Sequence, residues 1–206
     1  MKKNLQGKFI VLDGPDGCGK STQAKMLTDW IGRQGTKAVS FRDPGTTVIG
    51  EAIRHILLDP ANNTMDTRTE LLLYMAARAQ LWTENIKPGL QQQKCVIMDR
   101  WISSTCAYQG YAGGVGIEKV LDIAGHCLER IWPDVTVILD VDLRTASARI
   151  SDTPDRMEQK GDAYHQKVRE GFLELARLNN KIEIVDAAAD IETVHKNIVG
   201  IMRKYF

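Results

Sequence analysis

Only four cysteines occur among the 206 residues: Cys18, Cys95, Cys106 and Cys127. No two stand at C-x-x-C spacing and none sits in a Cys/His cluster, which excludes a zinc knuckle and a disulfide framework. The thiols are expected to be reduced and buried, with Cys95 and Cys127 in apolar contexts. An excess of one charge is also missing. The formal net charge is +1, so neither nucleic acid nor an acidic membrane is expected as a partner. No apolar run is long enough to span a membrane, and no signal peptide is expected at the N-terminus, so the expected setting is the cytoplasm. Repeats, low-complexity tracts and linkers are lacking too, and residues 1–206 are expected to form one domain. His55, His126, His165 and His195 have no catalytic or metal partner at suggestive spacing.

What is present is an ordinary globular composition, 43% apolar and 26% charged. Short Val/Ile/Leu runs at 9–13, 37–41, 95–99, 135–141 and 181–187 read as strands covered on both faces. Helical patterns lie between them at 20–33, 48–58, 67–92, 116–130, 143–150, 156–178 and 190–203. On 48–58 the apolar face is Ile49, Ile53, Ile56 and Leu57, and 67–92 should break near Pro88 and Gly89. The alternation predicts an α/β fold: a three-layer α/β/α domain on a five-stranded parallel sheet. The polar stretch 151–160 is a candidate lid.

Gly14-Pro15-Asp16-Gly17-Cys18-Gly19-Lys20-Ser21, followed by Thr22, fits G-x-x-x-x-G-K-[ST] between a strand and a helix. Glycines let successive N–H groups turn inward on phosphate oxygens, Lys20 reaches the β and γ phosphates, and Ser21 offers a hydroxyl to Mg²⁺. The motif implies a nucleoside triphosphate. It does not choose between hydrolysis, switching and transfer. An Asn-Lys-x-Asp base-reading motif is lacking: Asn180-Lys181-Ile182-Glu183 ends in Glu and begins a strand.

A kinase of small molecules needs a second, cationic pocket. Arg42 and Arg100 each follow a strand at the rim that carries the cradle, where they could converge on an acceptor phosphate. Either one alone fits equally a surface arginine. Tyr74 and Arg78, four apart, share a helical face that could stack and read a base. Taken alone, that pair also fits a core tyrosine and a solvated arginine.

From FIVLDGPDGCGKST through FRDPGTT, LLLYMAARAQL and DRWISSTCAYQG to DRMEQ and IVDA, the chain resembles the thymidylate kinases over nearly its full length. The resemblance implies a P-loop NTPase-type fold with a short lid at about 150–160, and Mg²⁺- and ATP-dependent phosphorylation of dTMP. It implies ATP on Gly14–Thr22, with Arg149 over adenine. Asp16, Arg42, Tyr74, Arg78, Arg100, Thr105 and Tyr108 would bind dTMP. Ser21, Asp16 and Asp99 would order the metal. Lys20, Asp16, Arg100 and the lid residue Arg156 would be catalytic. It also implies a homodimer. Cys106 stands where many members carry Gln or Asn near the base, which keeps a 5-modified deoxyuridylate or another deoxynucleotide open as acceptor. An acceptor-free nucleotide switch is the reading from a different class.

Overall fold

Five buried or half-buried apolar strands define the sheet in the computed structural model, which describes residues 5–149 and 154–206. They are β1 (Phe9–Asp13), β2 (Ala38–Arg42), β3 (Cys95–Asp99), β4 (Val135–Asp140) and β5 (Ile182–Asp186). All pair in parallel in the order β2-β3-β1-β4-β5. Central β1 and β3 are buried at every position, whereas the edge strands β2 and β5 are partly exposed. That difference follows from having one neighbour rather than two.

The pleat sends alternate residues into two cores. Phe9, Val11, Val96 and Met98 join one. It is covered by α3 (Thr67–Leu81), α6 (Ile117–Cys127) and α8 (Asp162–Leu178). Ile10, Leu12, Ile97 and Val137 join the other, under α1 (Lys20–Arg33), α7 (Leu143–Ser147) and α9 (Ile191–Tyr205). The expected three layers are therefore present. After β3 the chain crosses to the opposite flank of β1, so the crevice opens at the carboxyl end of β1.

Several expected boundaries move. The 67–92 pattern breaks before Pro88: a π-helical stretch, Trp82–Ile86, separates α3 from α4 (Lys87–Gln91). The Lys87 N–H donates to Trp82 O, five residues back. The widened turn precedes a proline that has no N–H to give and whose ring crowds the carbonyl four residues earlier. α8 starts at Asp162 rather than 156, because Gly161 at φ 79° turns the chain. α6 and α7 end short of 130 and 150, and residues 150–153 of the expected lid lie outside the described residues.

Two further elements lack apolar periodicity and were not expected, α5 (Ile102–Thr105) and a π-helical stretch over Cys106–Ala112. Both are held by tertiary contacts. The expected apolar face of α2 (Val48–Leu58) is also rotated. Gly50 and Leu57 are buried, Arg54 is half-buried, and Ile49 and Ile56 are exposed. Cys18, Cys95 and Cys106 are buried as expected, but Cys127, the last residue of α6, is exposed.

Candidate active site: a phosphate cradle and a second pocket

The loop between β1 and α1 starts from a buried anchor. Asp13 is fully buried. It accepts from Gly14 N at 2.9 Å, from Ser104 N at 2.9 Å and from the hydroxyls of Ser103 and Ser104 at 2.5 and 2.6 Å. The carboxylate thereby pins α5 to the end of β1. Gly17 has φ 74°, and a Cβ there would collide with the carbonyl of Ala146, so this turn admits only glycine. Lys20 Nζ arches back over the loop and donates to Pro15 O at 2.7 Å and Gly14 O at 3.3 Å. α1 begins at Gly19 with no side-chain cap and no acidic residue in its first turn. Its free N–H groups and dipole favour an anion. Ser21 Oγ donates to Asp99 Oδ2 at 2.7 Å, joining the expected metal-ordering residues of β1–α1 and β3.

A cavity of about 750 Å³ spreads over this loop. Arg149 borders it beside Ala187–Ala189, donating to Ala187 O at 3.1 Å. A narrower pocket of about 60 Å³ lies next to it, lined by Asp43, Tyr74, Arg78, Thr105, Tyr108 and Gln109 among others. Asp16, Arg54 and Arg100 border both cavities.

Arg100 is the junction's best-held cation. Its backbone sits at φ 70°, a strained conformation for a residue with a side chain. Its guanidinium donates to Gly14 O at 2.9 Å and Ser104 Oγ at 3.0 Å, pairs with Asp16, and stacks over the Tyr108 ring at 5.3 Å. Tyr108 OH donates to Asp16 Oδ2 at 2.9 Å. Burial opposes ionisation of Asp16, yet Arg100, Lys20 and these hydrogen bonds hold its carboxyl well below the usual carboxylate range.

Arg78 is almost wholly buried at 1% exposure, not a solvated charge. Its Nε donates to Asp43 Oδ2 at 2.7 Å and its Nη2 to Thr105 Oγ1 at 3.0 Å. Asp43 Oδ1, also buried, has no partner among the described residues. Burial pushes the Asp43 carboxyl up despite the pull of Arg78.

Three expected placements need correction. Arg42 is half-exposed, pairs with Glu51 at 3.1 Å and borders only the larger cavity. Arg54, unforeseen, occupies the junction instead. It stands on the inward face of α2 between Gly50 and Leu57, where a long cation inside an apolar helix was the available signal. Arg156 does not border either cavity. It is 5% exposed, donates to Leu57 O at 2.6 Å and pairs with Glu70 at 2.7 Å, because a fully buried carboxylate needs the charge. Cys106 lies in the core with its thiol pushed up to about 12 by burial. The amide bordering the narrow pocket is Gln109, three residues on, where a π-helical turn brings it round.

Cradle, doubly wound sheet and crevice together define a phosphate-loop nucleotide-binding protein with a second cationic pocket. The thymidylate kinase family model matches residues 12–198. A thymidylate kinase of a Thermoanaerobacter species is 40% identical over 203 residues, covering 98% of this chain and all of that one. That of Symbiobacterium thermophilum is 42% identical over 192 residues, covering 92% of this chain and 90% of its own. The crystal structure of the Ehrlichia chaffeensis thymidylate kinase superposes with a TM-score of 0.79 at 29% identity, covering 96% of this chain and 99% of that one. The chain belongs to the thymidylate kinase family.

Proposed function

We propose that the chain, acting as one kinase unit over residues 1–206, transfers the γ-phosphoryl group of ATP to dTMP. The observation that carries this is the meeting of the two cavities at Asp16, Arg54 and Arg100. The larger cavity takes ATP, with its phosphates on Gly14–Thr22 and Lys20 and its adenine beside Arg149. dTMP enters the narrow pocket. Its phosphate faces Arg100 and Arg54, with Arg42 at the rim. Tyr74 stacks on the base, Arg78 and Gln109 meet its polar edge, and Thr105 and Tyr108 border base and sugar. The deoxyuridylate alternative rested on Cys106 at the base and loses its support with that thiol in the core.

Phosphoryl transfer relies on positioning and charge more than on covalent help from the protein. The acceptor is already an ionised phosphate and needs no strong base. Lys20, Arg54 and Arg100 offset the repulsion between two anions. Asp16, kept ionised by its neighbours, orients Arg100 and accepts from Tyr108. The hydroxyl of Ser21 and the carboxylates of Asp99 and Asp16 are hard oxygen donors beside the cradle, a set that fits Mg²⁺. Among the described residues no cluster of three His, Cys, Asp or Glu forms a protein-only cage, in keeping with an ion held largely by substrate phosphates. Held by Ser21, Asp99 and Asp16, Mg²⁺ would supply neutralisation of phosphate charge.

The same function implies a cytoplasmic enzyme, and no described helix is long and apolar enough to cross a membrane. We also propose a homodimer through α2 and α3, whose Val48, Ile49, Ile56 and Leu72 are exposed.

An ADP-release assay with dTMP, dUMP, dCMP and dGMP tests the activity. Turnover should depend on dTMP, and Lys20→Ala or Arg100→Ala should lower kcat by about 10²–10³-fold or more. ATP hydrolysis indifferent to every monophosphate, or near-normal turnover by the Arg100 variant, sinks the proposal.

A further inference from the structure

Gln109 is 1% exposed and borders the narrow pocket. Its Nε2 donates to Glu70 Oε1 at 2.7 Å. No hydrogen bond reaches its Oε1 among the described residues. Glu70 is itself fully buried on α3. Two cations hold its carboxylate in place: Arg156 at 2.7 Å, and Lys160 at 2.9 and 3.1 Å. A carboxylate paired with two cations only accepts hydrogen bonds, so Gln109 must give it the NH₂ end. The carbonyl end is then the one left for the pocket. Arg78, which can only donate, borders the same pocket. An acceptor beside a donor complements an imide edge, where a ring N–H adjoins a carbonyl. Thymine and uracil carry that edge. Cytosine carries the reverse, a bare ring nitrogen beside an amino group.

We infer that Glu70 is a positioning residue that selects imide pyrimidines against cytosine through the amide of Gln109. This rests on the function proposed above. Glu70 need not touch the base. It fixes which end of a near-symmetric side chain the base meets, and a flipped amide would present a donor to the ring N–H of thymine. Arg156 and Lys160 acquire a purpose here that the transfer chemistry does not give them. They neutralise the buried carboxylate and draw the chain after residue 155 against α3.

Glu70→Gln tests the inference while keeping the side chain's shape. Arg156 and Lys160 would both claim the single oxygen of the new amide and turn its NH₂ toward Gln109. Gln109 would then rotate and present its own NH₂ to the pocket. The ratio of kcat/KM for dTMP over dCMP should fall about tenfold or more, through the KM for the acceptor, with the KM for ATP unmoved. In a Gln109→Leu background the same substitution should move the ratio no further. Equal losses on both acceptors, an unchanged ratio, or additive effects in that background overturn the inference and leave Glu70 a packing group. Should Glu70→Gln fail to fold by circular dichroism, Gln109→Leu and Glu70→Asp carry the test. A tenfold fall with the first and a retained ratio with the second supports the inference, and any other pair of results overturns it. A wild-type enzyme inert toward dTMP would instead remove the proposed function itself.

Discussion

Asp16 and Arg100 form a pair whose pH response can be worked out from its surroundings. Burial alone would push the Asp16 carboxyl up, but Arg100, Lys20 and the Tyr108 hydrogen bond outweigh it and the value falls. A depressed folded-state value means that the pair stabilises the fold above the unfolded carboxyl value of about 3.9, and that this contribution is lost as pH falls below it. Arg100→Ala removes the nearest cation, so its stability should decline less steeply than wild type between about pH 5 and pH 3. Urea melts across that range measure the slopes, and parallel curves would show that Arg100 does not set the Asp16 value. At this scale the sequence disclosed residue type better than placement. Arg78 was legible as a candidate, since Tyr74 and Arg78 share a helical face. Its partner Asp43 was not, because 35 residues separate the two and β2 must pair with β3 before they meet.

Among elements, the wall of the narrow pocket is an irregular one. The π-helical stretch Cys106–Ala112 carries Tyr108 and Gln109, and α8 lies against it. Gly171 makes that approach possible: a Cβ there would stand 2.9 Å from Tyr111 Cβ and 3.0 Å from Ala107 Cα. Tyr164 OH fastens the same wall by donating to Tyr108 O at 2.8 Å. Gly171→Val should therefore cost about 1–3 kcal/mol of stability by overpacking and raise the KM for dTMP more than that for ATP. Thermal melts and steady-state kinetics would show both effects, and an unshifted Tm would mean that the two helices can part without loss. The strands and the long amphipathic helices were legible because their apolar patterns are local. The stretch 102–112 was not, since its polar residues answer to Asp13, Glu70 and α8, none of which is near in sequence.

For the molecule as a whole, four of the eight large apolar residues exposed among the described residues, Val48, Ile49, Ile56 and Leu72, stand on two neighbouring helices. Val48 is 88% exposed, Leu72 58% and Ile49 50%, on α2 and α3, which pack together. Such a patch suits an interface. If the proposed homodimer forms through this face, replacing Ile49 and Leu72 together with Glu should convert it to monomer in sedimentation velocity, with little change in the thermal melt at low concentration. A wild-type chain that sediments as a monomer at every concentration would remove the dimer.

The amino-acid sequence by itself determined the α/β alternation and the phosphate cradle. Each of these is written in contiguous residues, whether as apolar runs, glycines that allow a tight turn, or a Lys-Ser pair at a helix start. The tertiary structure alone decided which guanidinium stands at which cavity. Arg54 reaches the junction, Arg42 stays at the rim, Arg156 neutralises Glu70, and Gln109 rather than Cys106 borders the slot. Those assignments depend on charges and amides that meet only after distant segments pack, and a buried carboxylate draws its partners from wherever the fold brings them.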